Sequence, residues 1–296
     1  MNKKALSIFY VVDENYVIPF TVSLTSLLEN NKKELDTVYV IHDIEQSDKF
    51  NKSIDYFKNN YEIEVRFIKV DASRFEKVHV SEHISKASYY RFLLPDLLPE
   101  HVEDGLYIDC DTVVTSSLEG LRTLGFEKND EKETYALRAV QDIHQRKEII
   151  RLENTLNITT SIYFNAGILL INIKKWRKIN VARDLMDLAL SYGNRLTFHD
   201  QDVLNIYFRD TVGKLDMTFN GNSWVKYQEI PCIIHYIGID KPWHFIDNGP
   251  NKYIYKKYQK LTPFYARNER ITLVKILRKY VRLVRKKLDK KPLFSG

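Results

Sequence analysis

The sequence holds only two cysteines, Cys110 and Cys232, among 296 residues. That excludes a disulfide-stapled framework and suits a reducing, cytosolic address. Long apolar runs are also missing: no stretch of 18 residues is apolar throughout, so no segment is expected to cross a membrane as a helix. The apolar stretch Ala5–Val12 follows Lys3-Lys4, but it ends in Asp13-Glu14 after eight residues and lacks a small-residue cleavage site. It reads as a first buried strand and not as a secretion signal. No internal repeat and no low-complexity linker precede the C-terminal tail, which leaves a repeat array or a loosely tethered module without support.

Evenly spread positive charge is absent as well. The net charge is +6, yet residues 267–296 hold eleven Lys/Arg against two acids, and the preceding 266 residues hold 34 bases against 37 acids. A mildly acidic body with a basic tail argues against a nucleic-acid-binding protein and for a local electrostatic attachment. With 44% hydrophobic residues, the chain is long enough for one large domain with a real core, or one domain plus an appendage.

What is present is an α/β alternation. Strands are expected at Ala5–Val12, Thr37–Ile41, Ile63–Ile68, Leu106–Ile108, Tyr135–Val140, Ile168–Ile173 and Cys232–Tyr236. Helices are expected after Asp13-Glu14-Asn15, over 86–98 as far as Pro95, over Lys174–Tyr192 and over Asp200–Phe208. Asp13, Asp109/Asp111, Asp142 and His235 then fall at or just past strand carboxyl ends, where open α/β sheets form their ligand crevice. Asp109-Cys110-Asp111 is the sharpest of these features. On a turn the two carboxylates face one way and Cys110 the other, a set of oxygen ligands suited to Mg²⁺ or Mn²⁺ holding a diphosphate. His235 would add a nitrogen and tilt the choice to Mn²⁺. Gly238 allows close backbone approach, and Lys241 supplies charge for a phosphate. Each residue also has a plain structural reading. Asp13 suits a helix cap, His235 a hydrogen-bonded core histidine, Arg91 a snorkelling helix residue, Asn165 a turn, and Asp200 and Asp202 the first turn of a helix.

Six stretches carry a family resemblance, in order over about residues 6–246: Val12-Asp13-Glu14-Asn15-Tyr16, Ser88-Tyr89-Tyr90-Arg91, Leu106 to Asp111, Tyr163-Phe164-Asn165-Ala166-Gly167, His199-Asp200-Gln201-Asp202, and His235-Tyr236 to Lys241-Pro242-Trp243-His244. In them the chain resembles glycosyltransferase family 8, the retaining sugar-nucleotide transferases of the type-A fold. Within it the chain is most similar to the bacterial branch that builds lipopolysaccharide and lipooligosaccharide. The resemblance implies a single Rossmann-like nucleotide-binding domain over 1–266 with a mixed, mostly parallel sheet. It implies a UDP-galactose or UDP-glucose donor, with Asp109, Asp111 and His235 as Mn²⁺ ligands (Mg²⁺ as the alternative). Val11, Asp13 and Asn15 match the uridine-binding turn, next to Tyr16. Gly238 and Lys241 match the diphosphate loop. Arg91, Asp142, Asn165, Ala166, Asp200 and Gln201 match the surroundings of the donor sugar, with Gln201 expected under its β face. Asp200 or Asp202 is the alternative as a transient nucleophile. His83 and Phe198 fall at acceptor positions. Ile237 departs from the lipooligosaccharide galactosyltransferase pattern, which has a cysteine near the acceptor.

The tail, 267–296, contains a two-faced segment. On a helical wheel over 271–288, Leu273, Val274, Ile276, Leu277, Tyr280, Val281, Leu283, Val284 and Leu288 fill one half, and Lys275, Arg278, Lys279, Arg282, Arg285 and Lys286 the other, with only Lys287 straying. This is the pattern of a helix lying on an anionic membrane surface; a helix docked on the protein's own core is the alternative. The expected whole is a cytoplasmic enzyme, peripheral on the inner face of the membrane, acting on a glycolipid acceptor. A surface-protein glycan as acceptor, or a non-catalytic UDP-sugar-binding protein, are the other readings.

Overall fold

The first apolar run forms β1 (Leu6–Val12), and every residue of it is buried. Phe9 and Val11 enter one core while Ile8, Tyr10 and Val12 enter another on the opposite face. A strand covered on both faces has no polar side to alternate with, hence the unbroken run. The computed structural model describes residues 5–32, 34–80, 85–127, 134–244 and 249–265. His83 and the whole tail 267–296, including the amphipathic segment 271–288, lie outside the described residues.

From β1 the chain passes through a 3₁₀ turn, Glu14–Tyr16, into α1 (Val17–Asn31). β2 (Leu35–His42), α2 (Asp48–Asn60) and β3 (Glu64–Lys69) follow. A 3₁₀ segment, Lys86–Leu93, leads into the short α3 (Leu94–Leu97). Next come β4 (Gly105–Ile108), β5 (Thr112–Val114), α4 (Glu119–Arg122), β6 (Leu137–Gln141), α5 (Gln145–Leu156) and β7 (Phe164–Ile171). α6 (Ile173–Lys178), α7 (Val181–Tyr192), α8 (His199–Phe208), β8 (Val212–Lys214), β9 (Gly221–Asn222), β10 (Ile233–His235) and α9 (Lys252–Gln259) complete it.

Among the described residues the main sheet has seven strands in the order β3-β2-β1-β4-β7-β6-β8. All run parallel except β7, which is antiparallel to both β4 and β6. That reversal decides where the site lies. It brings the amino end of β7, with Asn165 and Ala166, to the edge where β1, β4 and β6 end. On one face of the sheet, α6, α7 and α8 supply Trp176, Leu185 and Leu204; on the other, α1 and α2 supply Phe20, Leu24, Phe50 and Phe57.

A second sheet, β5-β10-β9, packs beyond α1. Its third core joins Val22 of α1 to Val113, Ile234 and, from α9, Ile254, Tyr255 and Tyr258. Because α1 is enclosed on both sides, its polar residues are used as internal partners. Ser23 Oγ lies 3.0 Å from the Tyr10 hydroxyl and 2.9 Å from that of Thr112. Ser26 Oγ accepts from the Val114 N–H, and Asn30 Nδ2 donates to the Val114 carbonyl. These bonds satisfy buried backbone groups at one edge of the small sheet, fixing it against the helix and so fixing His235.

The expected strands and the early helices are present, with differences. Pro95 does not stop a helix: it lies in the first turn of α3, where a missing N–H costs nothing. The single helix expected over 174–192 is broken into α6 and α7 at Asn180, whose φ is +50°. Asn165, Ala166 and Gly167 are inside β7 and not on a turn. No helix among the described residues is long and apolar enough to cross a membrane.

Candidate active site

Asp109 directly follows β4, Asp111 directly precedes β5, and His235 ends β10. Two sheets thus meet over one turn. Cys110 points away, as expected, with its Sγ donating to the Val11 carbonyl. Asp109, Asp111 and His235 each offer one ligand atom, all within 4.8 Å of one another. The imidazole is oriented from behind. Asn220 Nδ2 donates to Asn165 Oδ1 (2.8 Å), so Asn220 Oδ1 faces His235 Nδ1 at 3.0 Å and accepts its proton. Nε2 then carries the lone pair and lies 3.2 Å from Asp111 Oδ1 and 3.8 Å from Asp109 Oδ2. A ligating histidine held in one tautomer by a bond at its other nitrogen is a usual metal-site arrangement. Two carboxylates and one imidazole with open positions fit Mn²⁺ or Mg²⁺ chemically. Gly167 strengthens the fit: a Cβ there would come within 2.2 Å of His235 Cε1 and 2.9 Å of Asp109 Oδ2.

Positive groups brace the acids. Lys241 Nζ lies 2.5 Å from Asp111 Oδ2 and 2.7 Å from the Tyr236 carbonyl oxygen. Gly238, at φ +94°, lies in the chain between them. Burial by itself raises the Asp111 pKa, but the Lys241 ammonium and His235 outweigh it and hold that carboxyl well below the usual range. Arg91 is a buried hub and does not snorkel. It donates to the Ala166 carbonyl (2.6 Å) and to Asp109 Oδ1 (3.0 Å), lies 3.1 Å from Asp200 Oδ2, and stacks over the Tyr107 ring at 4.3 Å. Tyr107 adds a 2.5 Å bond to Asp109 Oδ1. Burial leaves Asp200 with a raised pKa even though Arg91 lowers it.

Beside this lies an amide cluster. Asn165 Nδ2 is 3.5 Å from Asp142 Oδ2 and 3.2 Å from Gln201 Oε1, and Gln201 Oε1 also accepts from the Ala166 N–H at 3.0 Å. Asp109, Asp111, His235, Lys241, Arg91, Asp200, Ala166, Asn165, Asp142 and Gln201 therefore form one connected constellation. Asp13, at the end of β1, takes the capping role: Oδ1 accepts from the N–H groups of Asn15 and Tyr16 at 2.9 Å each, capping the 3₁₀ turn. The Tyr16 pKa is pushed up, first by burial and then by the charges of Asp111, Asp109 and Asp13, and its ring packs edge-on against Trp243. Asn15 and Phe198 are exposed, and Ile237 is half-buried. No described contact brings Phe198 and Ile237 together. Asp202 is fully buried and turned away, its oxygens taken by Tyr163, Arg151 and the N–H groups of Thr197 and Phe198. Asn220, Tyr107, Tyr163 and Arg151 were not anticipated. Tyr107 and Tyr163 lie within the stretches that carry the family resemblance but are given no role there, Tyr107 reading only as a strand residue; Asn220 and Arg151 lie outside those stretches.

The sequence profile of glycosyl transferase family 8 matches residues 7–247. General stress protein A of Bacillus subtilis is 28% identical over 272 residues, covering 84% of this chain and 91% of that protein. The lipopolysaccharide 1,2-glucosyltransferase of Escherichia coli is 26% identical over 279 residues, covering 88% and 80%. Among solved structures, the galactosyltransferase LgtC with donor and acceptor sugar analogues superposes with a TM-score of 0.75 at 21% identity, covering 88% of this chain and 98% of that one. That likeness carries the fold.

Proposed function

The chain belongs to glycosyltransferase family 8, and on that footing we propose that it moves galactose or glucose from UDP to a hydroxyl of a lipopolysaccharide- or lipooligosaccharide-type acceptor, with retention of configuration. The observation that carries this reading is the Asp109–Asp111–His235 cluster at the strand-end edge of the sheet, where such folds bind nucleotides. The glycolipid acceptor rests on relatives such as the Escherichia coli glucosyltransferase. Residues Val11, Asp13, Asn15 and Tyr16 would receive the uridine, and Gly238 and Lys241 the diphosphate.

A divalent cation, Mn²⁺ by preference for the nitrogen ligand, would supply Lewis-acid neutralisation of the departing diphosphate when held by Asp109, Asp111 and His235. The Lys241 ammonium adds a second positive charge to the same leaving group. Arg91 holds Asp109 and Asp200 in register through its bonds to both. Retention in a hydrolase would use a carboxylate nucleophile about 5 Å from a second carboxyl group. The group expected under the β face here, Gln201, is an amide and a poor nucleophile. The acceptor hydroxyl therefore attacks from the face the phosphate leaves. The C1–O(phosphate) bond breaks, the C1–O(acceptor) bond forms, and the acceptor proton passes to the departing phosphate oxygen.

UDP release by the purified protein, read over a panel of UDP-sugars with Mn²⁺ and with chelator, tests the reading. One donor is expected to be hydrolysed slowly and only with Mn²⁺. Asp109→Ala and Asp111→Ala should each abolish it, and near-normal turnover in either would overturn the metal assignment. The basic segment 271–288 supports attachment to the inner, anionic face of the cytoplasmic membrane. Each Lys or Arg at such a surface contributes on the order of 1 kcal/mol.

A further inference from the structure

Below the amide cluster lies an ionic chain, with Glu148 and Asp202 buried and Arg151 half-buried, that the chemistry above does not use. Arg151 of α5 is 2.6 Å from Glu148 Oε2 through Nε and 2.5 Å from Asp202 Oδ1 through Nη2. Its guanidinium also lies 5.3 Å from the Phe198 ring centre, and its Nη1 donates to Thr197 Oγ1 at 3.2 Å. Asp202 Oδ1 accepts in addition from the Tyr163 hydroxyl at 2.6 Å, and Oδ2 accepts from the N–H groups of Thr197 and Phe198 at 2.8 and 3.0 Å. A carboxylate has about four acceptor sites, and all of them are filled. Asp202 has no oxygen left to face a sugar.

The polarity of this chain has a consequence one step further on. Tyr163 gives its only proton to Asp202, so towards Gln201 it can only accept. Gln201 Nε2 meets it at 3.2 Å. That places the other end of the amide, Oε1, against the Ala166 N–H and Asn165 Nδ2. The Ala166 N–H, which can only donate, favours the same orientation. Without the Asp202 charge, the Tyr163 hydroxyl could donate to Oε1 and so compete with Ala166 for it, and the carboxamide would lose one of the two contacts that set which way it faces. Buried ion pairs are weak contributors to stability, because desolvation offsets their attraction. A chain of them ending on a neutral amide therefore suggests orientation more than strength.

We propose that Arg151, Asp202 and Tyr163 are positioning residues that hold the Gln201 carboxamide with its carbonyl oxygen on the Asn165–Ala166 side. This rests on the transferase reading above, in which those residues surround the donor sugar. The negative end of the amide dipole then faces the positive charge that develops at the anomeric carbon, already oriented before the reaction starts. Asp202 acts through Tyr163 and forms no bond to the sugar. By gripping Thr197 and Phe198, the same carboxylate ties the exposed Phe198 to this element.

The test compares wild type, Tyr163→Phe, Gln201→Ala and the double variant in the full chain, reading kcat and KM for the UDP-sugar, Mn²⁺–UDP affinity and melting temperature. Tyr163→Phe removes one oxygen and keeps the ring. Its kcat should fall about tenfold, with KM and UDP affinity nearly unchanged. In the Gln201→Ala background the same substitution should cost less than about twofold, since its effect runs through Gln201. An unchanged kcat in Tyr163→Phe, a full repeat loss in the double variant, or a parallel loss of UDP affinity would each overturn the proposal. Arg151→Met provides the second arm: its kcat should fall in the same direction and be partly restored in Arg151→Lys, and wild-type kcat in Arg151→Met would count against the chain. Absence of turnover in wild type with any UDP-sugar would instead bring down the parent reading, and this inference with it.

Discussion

The tightest constraint on the site is a missing side chain. At Gly167 a single methyl group would sit 2.2 Å from His235 Cε1 and 2.7 Å from its Nδ1. The ring cannot retreat, because Asn220 holds it from behind. Gly167→Ala is therefore expected to fold with a loss of about 1–3 kcal/mol from overpacking, and to bind Mn²⁺ at least tenfold more weakly by titration calorimetry. Asn220→Ala introduces no clash, opens the space behind the ring and frees the imidazole tautomer. Mn²⁺ affinity should then drop by about 10–100-fold, the usual effect of losing such an orienting partner, while the melting temperature falls moderately from the loss of two buried hydrogen bonds. Unchanged Mn²⁺ affinity in Asn220→Ala would show that the orientation of His235 does not depend on it. At this scale Asp109 and Asp111 were legible, since acids directly after a strand are a local pattern. Asn220 was not: its role exists only because Asn165, 55 residues away, fixes which way its amide points.

Among elements, the segment from Pro95 to Val102 is held by one side chain reaching in from α6. Arg177 donates from Nε to the Pro95 carbonyl (2.9 Å), from Nη1 to those of Glu100 and Val102 (3.2 and 2.8 Å), and from Nη2 to those of Leu98 and Pro99 (2.9 and 3.0 Å). Arginine has five N–H donors in a fixed fork, and each finds its own carbonyl. These carbonyls lie in the segment that turns the chain from α3 towards β4, the strand that delivers Asp109. Arg177→Met keeps most of the stem and leaves the carbonyls without these donors, at a cost of about 2–3 kcal/mol for the charged hydrogen bonds. Urea unfolding should show the midpoint moving down with little change in slope. Lysine, with three donors on a single nitrogen, should recover only a small part. Nothing local marks Arg177 in the run Lys174-Lys175-Trp176-Arg177-Lys178, where it reads as one more surface base. The break between α6 and α7 was hidden for a similar reason, because apolar spacing continues across Asn180.

For the whole molecule, two buried histidines set the first acid limit. Burial lowers the pKa of both His42 and His199 from the ordinary value near 6.5. Below that value the unfolded chain takes up protons that the folded chain refuses, so stability falls as pH drops. The melting temperature is expected to decline between about pH 6.5 and the lower folded-state values, less steeply in His42→Asn. A second window opens lower. Asp216 has its pKa lowered by its bonds to Thr218, so its contribution is complete above 3.8 and is lost as pH falls through the folded value. A melting temperature flat from pH 7.5 to 5 would contradict the first window. The attachment proposed for the tail also belongs to this scale: a chain ending near residue 268 should lose sedimentation with anionic liposomes that the full chain shows, and high salt should release the full chain.

The amino-acid sequence by itself determined the α/β class, most strand positions, the acid pair after β4 and the set of stretches that marks family 8. All of these are short-range patterns: an apolar run, a carboxylate at its end, a glycine beside it. Tertiary structure alone decided that β7 runs backwards, bringing Asn165 and Ala166 to the edge where Asp109 and Asp142 already stand. It also decided that His235 reaches the site on a second sheet, and that Asp202 turns inward to Arg151 and Tyr163 while its neighbour Asp200 meets Arg91. Strand direction and side-chain pairing depend on which segments become neighbours. A residue's type and its local spacing do not carry that information, because the energy that settles it comes from contacts made only once the chain has closed.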